Sequence, residues 1–131
     1  MLRDARVSAT VPASDLASAR KFYEEKLGLT PTEEPAGVRY ECGNGSGFLL
    51  FQSAGAASGA HTQLAFDVAN VDDEIGRLRD NGVKFEDYDF PGLKTENGIA
   101  EIDGGRGGWF KDPEGNLIAV FQLAPVAVTS G

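Results

Sequence analysis

The fold of this chain is decided by one stretch, Trp109-Phe110-Lys111-Asp112-Pro113-Glu114-Gly115-Asn116-Leu117-Ile118-Ala119-Val120-Phe121-Gln122. Its centre is a tight turn with a physical basis: Pro113 presets φ, Gly115 accepts a positive φ, and Asp112 can cap its own backbone. Apolar runs flank the turn on both sides, so the stretch predicts a β-hairpin. The last strand of this hairpin, residues 117–122, carries no carboxylate.

An earlier part of the chain repeats this hairpin. The two copies are 70 residues apart, whereas the first strands of the two units, residues 7–11 and 62–66, are 55 apart. Gly28 and Gly82, which end the two predicted helices, are 54 apart. The offset between equivalent residues grows from 55 to 70 along the chain. This growth indicates about 15 extra residues in the second unit, which we place at residues 89–105. The pairs at the offset of 70 are Tyr40 and Phe110, Gly45 and Gly115, Phe51 and Phe121, and Gln52 and Gln122.

Local patterns predict the same order of elements in each unit. Val7, Ala9 and Val11 alternate with Ser8 and Thr10, which is the pattern of a half-buried strand. The predicted first unit continues with a helix over 16–27 capped by Ser14 or Asp15, a segment over 29–34, and strands over 38–42 and 48–52. After a linker of small residues (53–60), the second unit has a strand over 62–68, a helix from Asn70 to Asn81-Gly82, a strand over 83–88 and a candidate added strand over 98–103.

Each unit therefore reads as βαβββ, and neither unit alone is large enough to bury its sheet. We predict a single α+β domain over residues 1–131, with module one at about 5–53 and module two at about 61–123. Together the two tandem modules would form a curved, cup-like mixed sheet with the helices outside.

Composition excludes several classes of function. The chain has 131 residues, a net charge of −8 and a pI near 4.5, so it lacks the basic surface that nucleic acid requires. No apolar run approaches the roughly 20 residues of a membrane span, and the N-terminus lacks the layout of a signal peptide. We therefore expect a cytoplasmic protein without membrane or nucleic-acid partners. The single Cys42 cannot form an intramolecular disulfide and is expected to be a small core residue.

The chain resembles the vicinal oxygen chelate superfamily, which includes glyoxalases, bleomycin resistance proteins and extradiol dioxygenases. The resemblance rests on Asp15-Leu16 at a helix start, on Phe22-Tyr23 before Leu27-Gly28, and on residues 112–116 before the last strand. It covers residues 6–122 and implies paired βαβββ modules, a homodimer, and a cup that binds a metal and substrate or sequesters a drug.

The resemblance also implies where a metal would be bound. Metal-dependent members carry His, Gln or Glu on the first strand of each module and often Glu on the last, and these positions here are Ser8, Gln63 and Ala119, with Leu49 as the repeat partner of Ala119. Only Gln63 can ligate a metal, so we expect no metal, no cofactor and no catalytic residue at these positions. Three alternatives stay open: His61 sharing the face of Gln63, Glu101 as a general base, and a carboxylate site for Mg²⁺ or Ca²⁺ elsewhere.

The candidate ligand-binding residues come from the faces of the predicted strands. Phe121 shares the face of Ala119, and its repeat partner Phe51 should line the cup from the other module. Trp109 and Arg39 are repeat partners too, and a ring and a guanidinium at opposed sites would suit a planar or anionic ligand. In the insertion, Phe90 and Leu93 are predicted either to close over the cup or to form dimer contacts. The full predicted set is Ser8, Arg39, Phe51, Gln63, Phe90, Trp109 and Phe121.

Three functions compete at this point. The leading hypothesis is a metal-independent small-molecule binding protein of the bleomycin-resistance type, with an aromatic or planar ligand in an apolar cup. The second is a glyoxalase-like lyase or isomerase, or a dioxygenase, with a non-standard metal site. The third is a structural or regulatory dimer whose cup is filled by its own side chains.

Overall fold

The computed structural model describes residues 2–4, 7–53, 59–102 and 105–122. Most of the predicted linker and the end of module two at residue 123 lie outside the described residues. Within them, the chain forms two α-helices and ten strands, with short 3₁₀ turns at Leu2–Asp4 and Gly43–Gly45. In chain order these are β1 (Ala9–Ala13), α1 (Leu16–Lys21), β2 (Pro31–Glu34), β3 (Gly37–Glu41), β4 (Gly47–Gln52), β5 (Thr62–Asp67), α2 (Val71–Asp80), β6 (Asp89–Phe90), β7 (Leu93–Lys94), β8 (Ala100–Ile102), β9 (Gly105–Lys111) and β10 (Leu117–Gln122).

Each module is a four-stranded mixed sheet with a helix on one face. The strand order is β1-β4-β3-β2 in module one and β5-β10-β9-β8 in module two. The pairs β1–β4 and β5–β10 are parallel, and the remaining pairs are antiparallel. The predicted α+β fold of two tandem βαβββ modules is therefore confirmed. Below, the sheet face opposite the helices is called the cup face.

The register of the two sheets repeats with the offsets that the sequence suggested. On the cup face of module one, three residues are aligned across β1, β4 and β3, and the residues 55 and 70 positions later are aligned across β5, β10 and β9. The aligned residues are Thr10, Leu49 and Arg39 in module one, and Ala65, Ala119 and Trp109 in module two.

The helix of module one contains one more residue than that of module two. The offset is 55 at the helix N-caps, Asp15 and Asn70, and 54 at the glycines that follow the helices. The structure explains the difference, because α1 continues into a π-helical turn, Phe22–Lys26, whose wider hydrogen-bonded loop holds an extra residue. Beyond this turn Gly28 has a φ of 72°, as the predicted helix stop requires.

Buried apolar clusters lie between each sheet and its helix, and aromatic side chains join them. The rings of Phe22 and Phe110 are 6.0 Å apart, and those of Phe48 and Phe66 are 6.3 Å apart, so each pair links module one to module two. The buried members are Val11, Ala13, Ala19, Tyr23, Val38, Tyr40, Phe48 and Leu50 in the first cluster, and Val71, Ile75, Val83, Phe110, Ile118 and Val120 in the second.

The turn that decides the fold also clamps the two modules together. The buried Asp112 carboxylate accepts hydrogen bonds from the backbone N–H of Asn116 (2.8 Å) and, across the modules, from the Tyr23 hydroxyl (2.7 Å). Burial, and then the Asp112 charge, raise the pKa of Tyr23 well above its usual range, so the hydroxyl stays protonated and donates. Glu114, in the same turn, accepts from the Ser14 hydroxyl (2.7 Å) and from the backbone N–H of Asp15 (3.0 Å) before α1.

Side chains of module two also satisfy the outer edge of β1. Because β1 is the last strand of its sheet, its outward carbonyls have no strand partner. The Asn116 amide donates to the carbonyl of Pro12 (2.9 Å), and the Gln63 amide donates to that of Thr10 (3.0 Å). The modules are therefore joined by polar groups as well as by apolar packing.

Two local predictions differ from the structure, and a third is confirmed. Val7 is 94% exposed and precedes β1, because β1 pairs with β4 only from Ala9 onward. The predicted strand over 83–88 contributes a single bridge, Phe85 to Phe110, because β8 occupies the neighbouring part of the same edge of β9. Accordingly, the candidate added strand near residues 98–103 is β8, which takes the position in module two that β2 takes in module one.

Candidate functional site

The first half of the cup face is a polar cleft. A cleft of about 560 Å³ is lined by Ser8 and Arg39, which were both predicted, together with Glu34 and Glu41. Arg39 Nε lies 2.6 Å from a Glu34 carboxylate oxygen, and Arg39 Nη1 donates to Ser8 Oγ at 3.0 Å. The guanidinium charge is therefore already paired, and the lining acids outnumber it.

Trp109 dominates the second half of the cup face. Its indole N–H donates to the Thr62 hydroxyl at 3.2 Å, and β10 lies between the strands that carry these two residues. The ring must therefore lie across β10, over the positions of Ala119 and Leu117, which pair with Trp109 and Thr62. This explains why both are buried on an open sheet face, at 5% and 9% exposed. Trp109 itself is only half-buried, so part of the indole is accessible from the cup.

Phe121 packs on its own sheet. A Cβ added at Gly105 or at Gly107 would collide with the Phe121 ring, so the ring lies directly on the glycine backbone of β9. Its repeat partner Phe51 is half-buried on the same face of module one, opposite Pro12 and Gly37. The two rings are thus in equivalent positions of the two sheets, as the repeat predicts.

Gln63 joins the modules. Its amide nitrogen donates to Thr10, and its amide oxygen lies 3.2 Å from His61 Nε2. His61 does share the face of Gln63, since their side chains are in contact. Both polar ends of the Gln63 amide are therefore engaged with protein groups.

A series of aromatic contacts leads from the insertion, through Tyr88 just before it, to Trp109. Tyr88 contacts the indole edge-on, with ring centroids 5.8 Å apart, and contacts Phe90 at 6.0 Å. Phe90 is 52% exposed and pairs with Leu93 across the β6–β7 hairpin. The structure thus brings Phe90 and Trp109 together through Tyr88, which no sequence pattern indicates as a site residue.

Glu101 and Cys42 lie on the helix side of the two sheets, away from the cup face. Glu101 is exposed and binds Arg106 at 2.8 Å, and Arg106 also binds Asp72 of α2, so this group of charges lies on the helix side of the sheet. Glu101 therefore does not face the cup, and its general-base role stays a prediction. Burial raises the pKa of the half-buried Cys42 thiol, which keeps it protonated near neutral pH.

The four positions that correspond to metal ligands do not fit a metal. Leu49 and Ala119 offer no donor atom, Ser8 accepts from a guanidinium, and the amide of Gln63 is engaged as described. Moreover, the Trp109 indole lies over Ala119, where a metal-binding carboxylate would stand. Elsewhere in the described ranges, no group of three or more His, Cys, Asp or Glu side chains is arranged to hold a metal ion.

Four lining or positioning residues were not predicted from the sequence: Glu34, Glu41, Thr62 and Tyr88. A signal was available for Glu34, because the turn between Glu34 and Arg39 predicts a hairpin that brings them together. None was available for Thr62, whose contact with Trp109 depends on the parallel β5–β10 pairing. In the part of the chain that is described, no helix is long and apolar enough to span a membrane.

Comparison with known proteins identifies the family. The family model described as Glyoxalase/Bleomycin resistance protein/Dioxygenase superfamily matches residues 6–120. No curated protein matches the chain by sequence.

Solved structures show the same fold. UcmS2 is 22% identical with a TM-score of 0.70, over 89% of this chain and 97% of that one. Lactoylglutathione lyase from Agrobacterium tumefaciens is 23% identical with a TM-score of 0.63, over 91% and 93%. The fosfomycin resistance protein FosX from Listeria monocytogenes is 15% identical with a TM-score of 0.66, over 92% and 94%. From the family match, the paired modules and the shared fold, we conclude that the chain belongs to the glyoxalase/bleomycin resistance protein/dioxygenase superfamily.

Proposed function

We propose that the chain is a metal-independent small-molecule binding protein of the bleomycin-resistance type. The observation that carries this proposal is the Trp109 indole lying across β10. One side of the ring rests on apolar Leu117 and Ala119, and the accessible part forms a flat aromatic surface at the base of the cup. Such a surface binds aromatic or planar ligands by stacking, without convergent catalytic groups.

The polar cleft of module one supports a preference for neutral or cationic ligands. Arg39 is paired with Glu34, and Glu41 adds a second carboxylate to the same cleft. The net charge of −8 attracts cations from a distance as well. The anionic ligand that Arg39 suggested from the sequence is therefore the less favoured class.

The lone tryptophan makes the proposal directly testable. We expect the fluorescence of Trp109 to be quenched saturably by a compound from a panel of bleomycin, cationic acridines and anionic anthraquinone sulfonates. We expect the same Kd with EDTA and with added divalent metals. Trp109→Leu should weaken binding about tenfold in calorimetry. Phe85→Leu, a matched aromatic change on the helix side, should leave Kd unchanged.

Other outcomes favour the other functions. Binding that requires a metal would overturn the proposal in favour of the lyase, isomerase or dioxygenase alternative. The filled-cup alternative is favoured by one observation, the packing of the Phe121 ring on Gly105 and Gly107. Absence of any quenching across the panel, with or without metals, would support that alternative.

We further propose that Phe90 closes over the bound ligand. The support is its position one aromatic contact away from Trp109, through Tyr88. Deletion of residues 89–98 should then weaken binding and speed ligand release. Unchanged affinity would instead favour the role of this hairpin in dimer contacts.

The expected homodimer and cytoplasmic location are also proposals. Val7 and Phe90 are the large apolar side chains exposed in the described ranges, and a partner subunit could cover them. Light scattering should give twice the chain mass of 13.9 kDa, and a monomer mass would contradict the dimer.

A further inference from the structure

A second candidate site lies on the helix side of module two. An apolar groove of about 110 Å³ is bounded by Leu27 and Leu29 after the first helix, by α2, and by β5, β9 and β10. A larger cleft of about 470 Å³ adjoins it, because Phe66 and Val68 line both spaces, and Cys42 lies in this cleft. The residues that line the smaller space, here called the helix-side groove, are Leu27, Leu29, Phe66, Val68, Glu74, Leu78, Phe110 and Val120.

The internal repeat shows what this groove lacks. In module one the corresponding space is filled by the fully buried ring of Tyr23. The ring stacks on Tyr40 with centroids 5.8 Å apart and an angle of 28°, and its hydroxyl donates to Asp112. In module one this space therefore holds a phenol ring whose hydroxyl donates to a carboxylate.

The correspondence can be followed residue by residue through the offsets. At the helix offset of 55, Leu78 takes the place of Tyr23, and Glu74 takes the place of the buried Ala19. Leucine cannot fill the volume of a phenol ring, so an open groove remains. The other lining residues Phe66, Val68, Phe110 and Val120 correspond to Val11, Ala13, Tyr40 and Leu50, which all belong to the cluster around Tyr23.

The polar groups at the groove differ from those around Tyr23. At the offset of 70, Cys42 is the equivalent of Asp112. The groove of module two therefore has no counterpart of the carboxylate that accepts from the Tyr23 hydroxyl in module one. In exchange, α2 supplies Glu74 on the groove lining, where its carboxylate also pairs with Arg77 at 3.2 Å. A carboxylate acceptor is thus present beside an apolar, ring-sized space.

We propose that the helix-side groove is a binding site for a single-ring phenol. The ring lies between Phe66 and Leu78, above the floor of the groove that Phe110 and Val120 form, and the hydroxyl donates to the carboxylate of Glu74. This site is on the opposite face of the sheet from Trp109, and it does not depend on the function proposed for the cup.

The test uses p-cresol, the side-chain analogue of tyrosine. In methyl NMR spectra of the full chain, p-cresol should shift the resonances of Leu27, Leu29, Val68, Leu78 and Val120, and leave Leu49 on the cup face unchanged. At ten times its Kd it should raise Tm by about 5 °C. Toluene, which lacks the hydroxyl, should bind more weakly, and Glu74→Gln should remove most of this difference.

A filled groove is the matched control. Leu78→Tyr introduces the residue that module one carries, and should abolish both the methyl shifts and the p-cresol effect on Tm. Leu93→Tyr, the same change on the β6–β7 hairpin, should keep both. The proposal is overturned if p-cresol leaves the groove methyls of the wild-type chain unchanged, if it quenches Trp109 instead, or if Leu78→Tyr responds like the wild type.

Discussion

The two modules share one backbone register, yet they differ in the corner between helix, sheet and turn. In module one this corner is closed by Tyr23 and by polar groups from the turn of module two. In module two the equivalent corner holds Leu78, Cys42 and a groove. The comparison teaches that duplication of a fold preserves strand pairing more strictly than the content of the space under the helix. The same space under the helix is filled by a hydrogen-bonded tyrosine in module one and is an open groove in module two.

The largest effect should come from giving module one the residue of module two. Tyr23→Leu removes a buried ring and leaves the Asp112 carboxylate without its hydroxyl donor. We expect a loss of about 4 kcal/mol in the free energy of unfolding, measured by urea denaturation. Tyr23→Phe, which removes only the hydroxyl, should cost about 2 kcal/mol. A loss below about 1 kcal/mol for Tyr23→Leu would contradict the difference between the two corners.

A second substitution gives the turn of module two the residue that the turn of module one carries at the equivalent position. Asn116→Ser introduces the residue found at the equivalent position 46, and removes the hydrogen bonds from the Asn116 amide to Pro12 and Asp112. We expect a loss of about 2 kcal/mol in the same measurement. As the matched control, Ser46→Ala at an exposed turn should cost less than about 0.5 kcal/mol. Equal costs at the two sites would remove the distinction between a clamping turn and a solvent-exposed one.

The smallest effect concerns the pH dependence of the clamp. Hydrogen bonds from the Ser14 side chain and backbone lower the pKa of Glu114 below its reference value of 4.5. The folded state therefore favours the ionised form, and this stabilisation is complete above pH 4.5 and lost as pH falls through the folded-state pKa. Glu114→Gln should cost about 1 kcal/mol at pH 7. Its deficit relative to the wild type should shrink in acid, and a deficit independent of pH would contradict the clamp.

Local chemistry made most of the fold predictable from sequence. Turn residues 112–116 and the alternating strands depend on neighbours within a few positions, and the repeat offsets follow from comparing one part of the sequence with another. The modules and their order could therefore be predicted. The failures occurred where a distant partner decides the outcome. Residues 83–88 have the pattern of a strand, but β8 pairs with part of the edge of β9 beside which they lie, so they form only one bridge there.

The candidate site was less predictable for the same reason. The faces of Arg39, Trp109 and Phe121 follow from alternation and were placed correctly. Their contacts do not follow from it, because Trp109 meets a threonine 47 residues earlier in the chain. Similarly, the amide of Gln63 serves the edge of β1, and only the packing of the two modules reveals that role.

The polar contacts along the edge of β1 have a consequence for how the chain can be divided. A fragment ending at residue 53 would expose the carbonyls of Thr10 and Pro12 and the hydroxyl of Tyr23, all of which depend on groups in the second half. The second half therefore carries the groups that satisfy the unpaired edge of the first half. Two separately produced halves, cut within residues 53–60, should remain poorly folded alone and recover native structure when mixed, as a split reporter does.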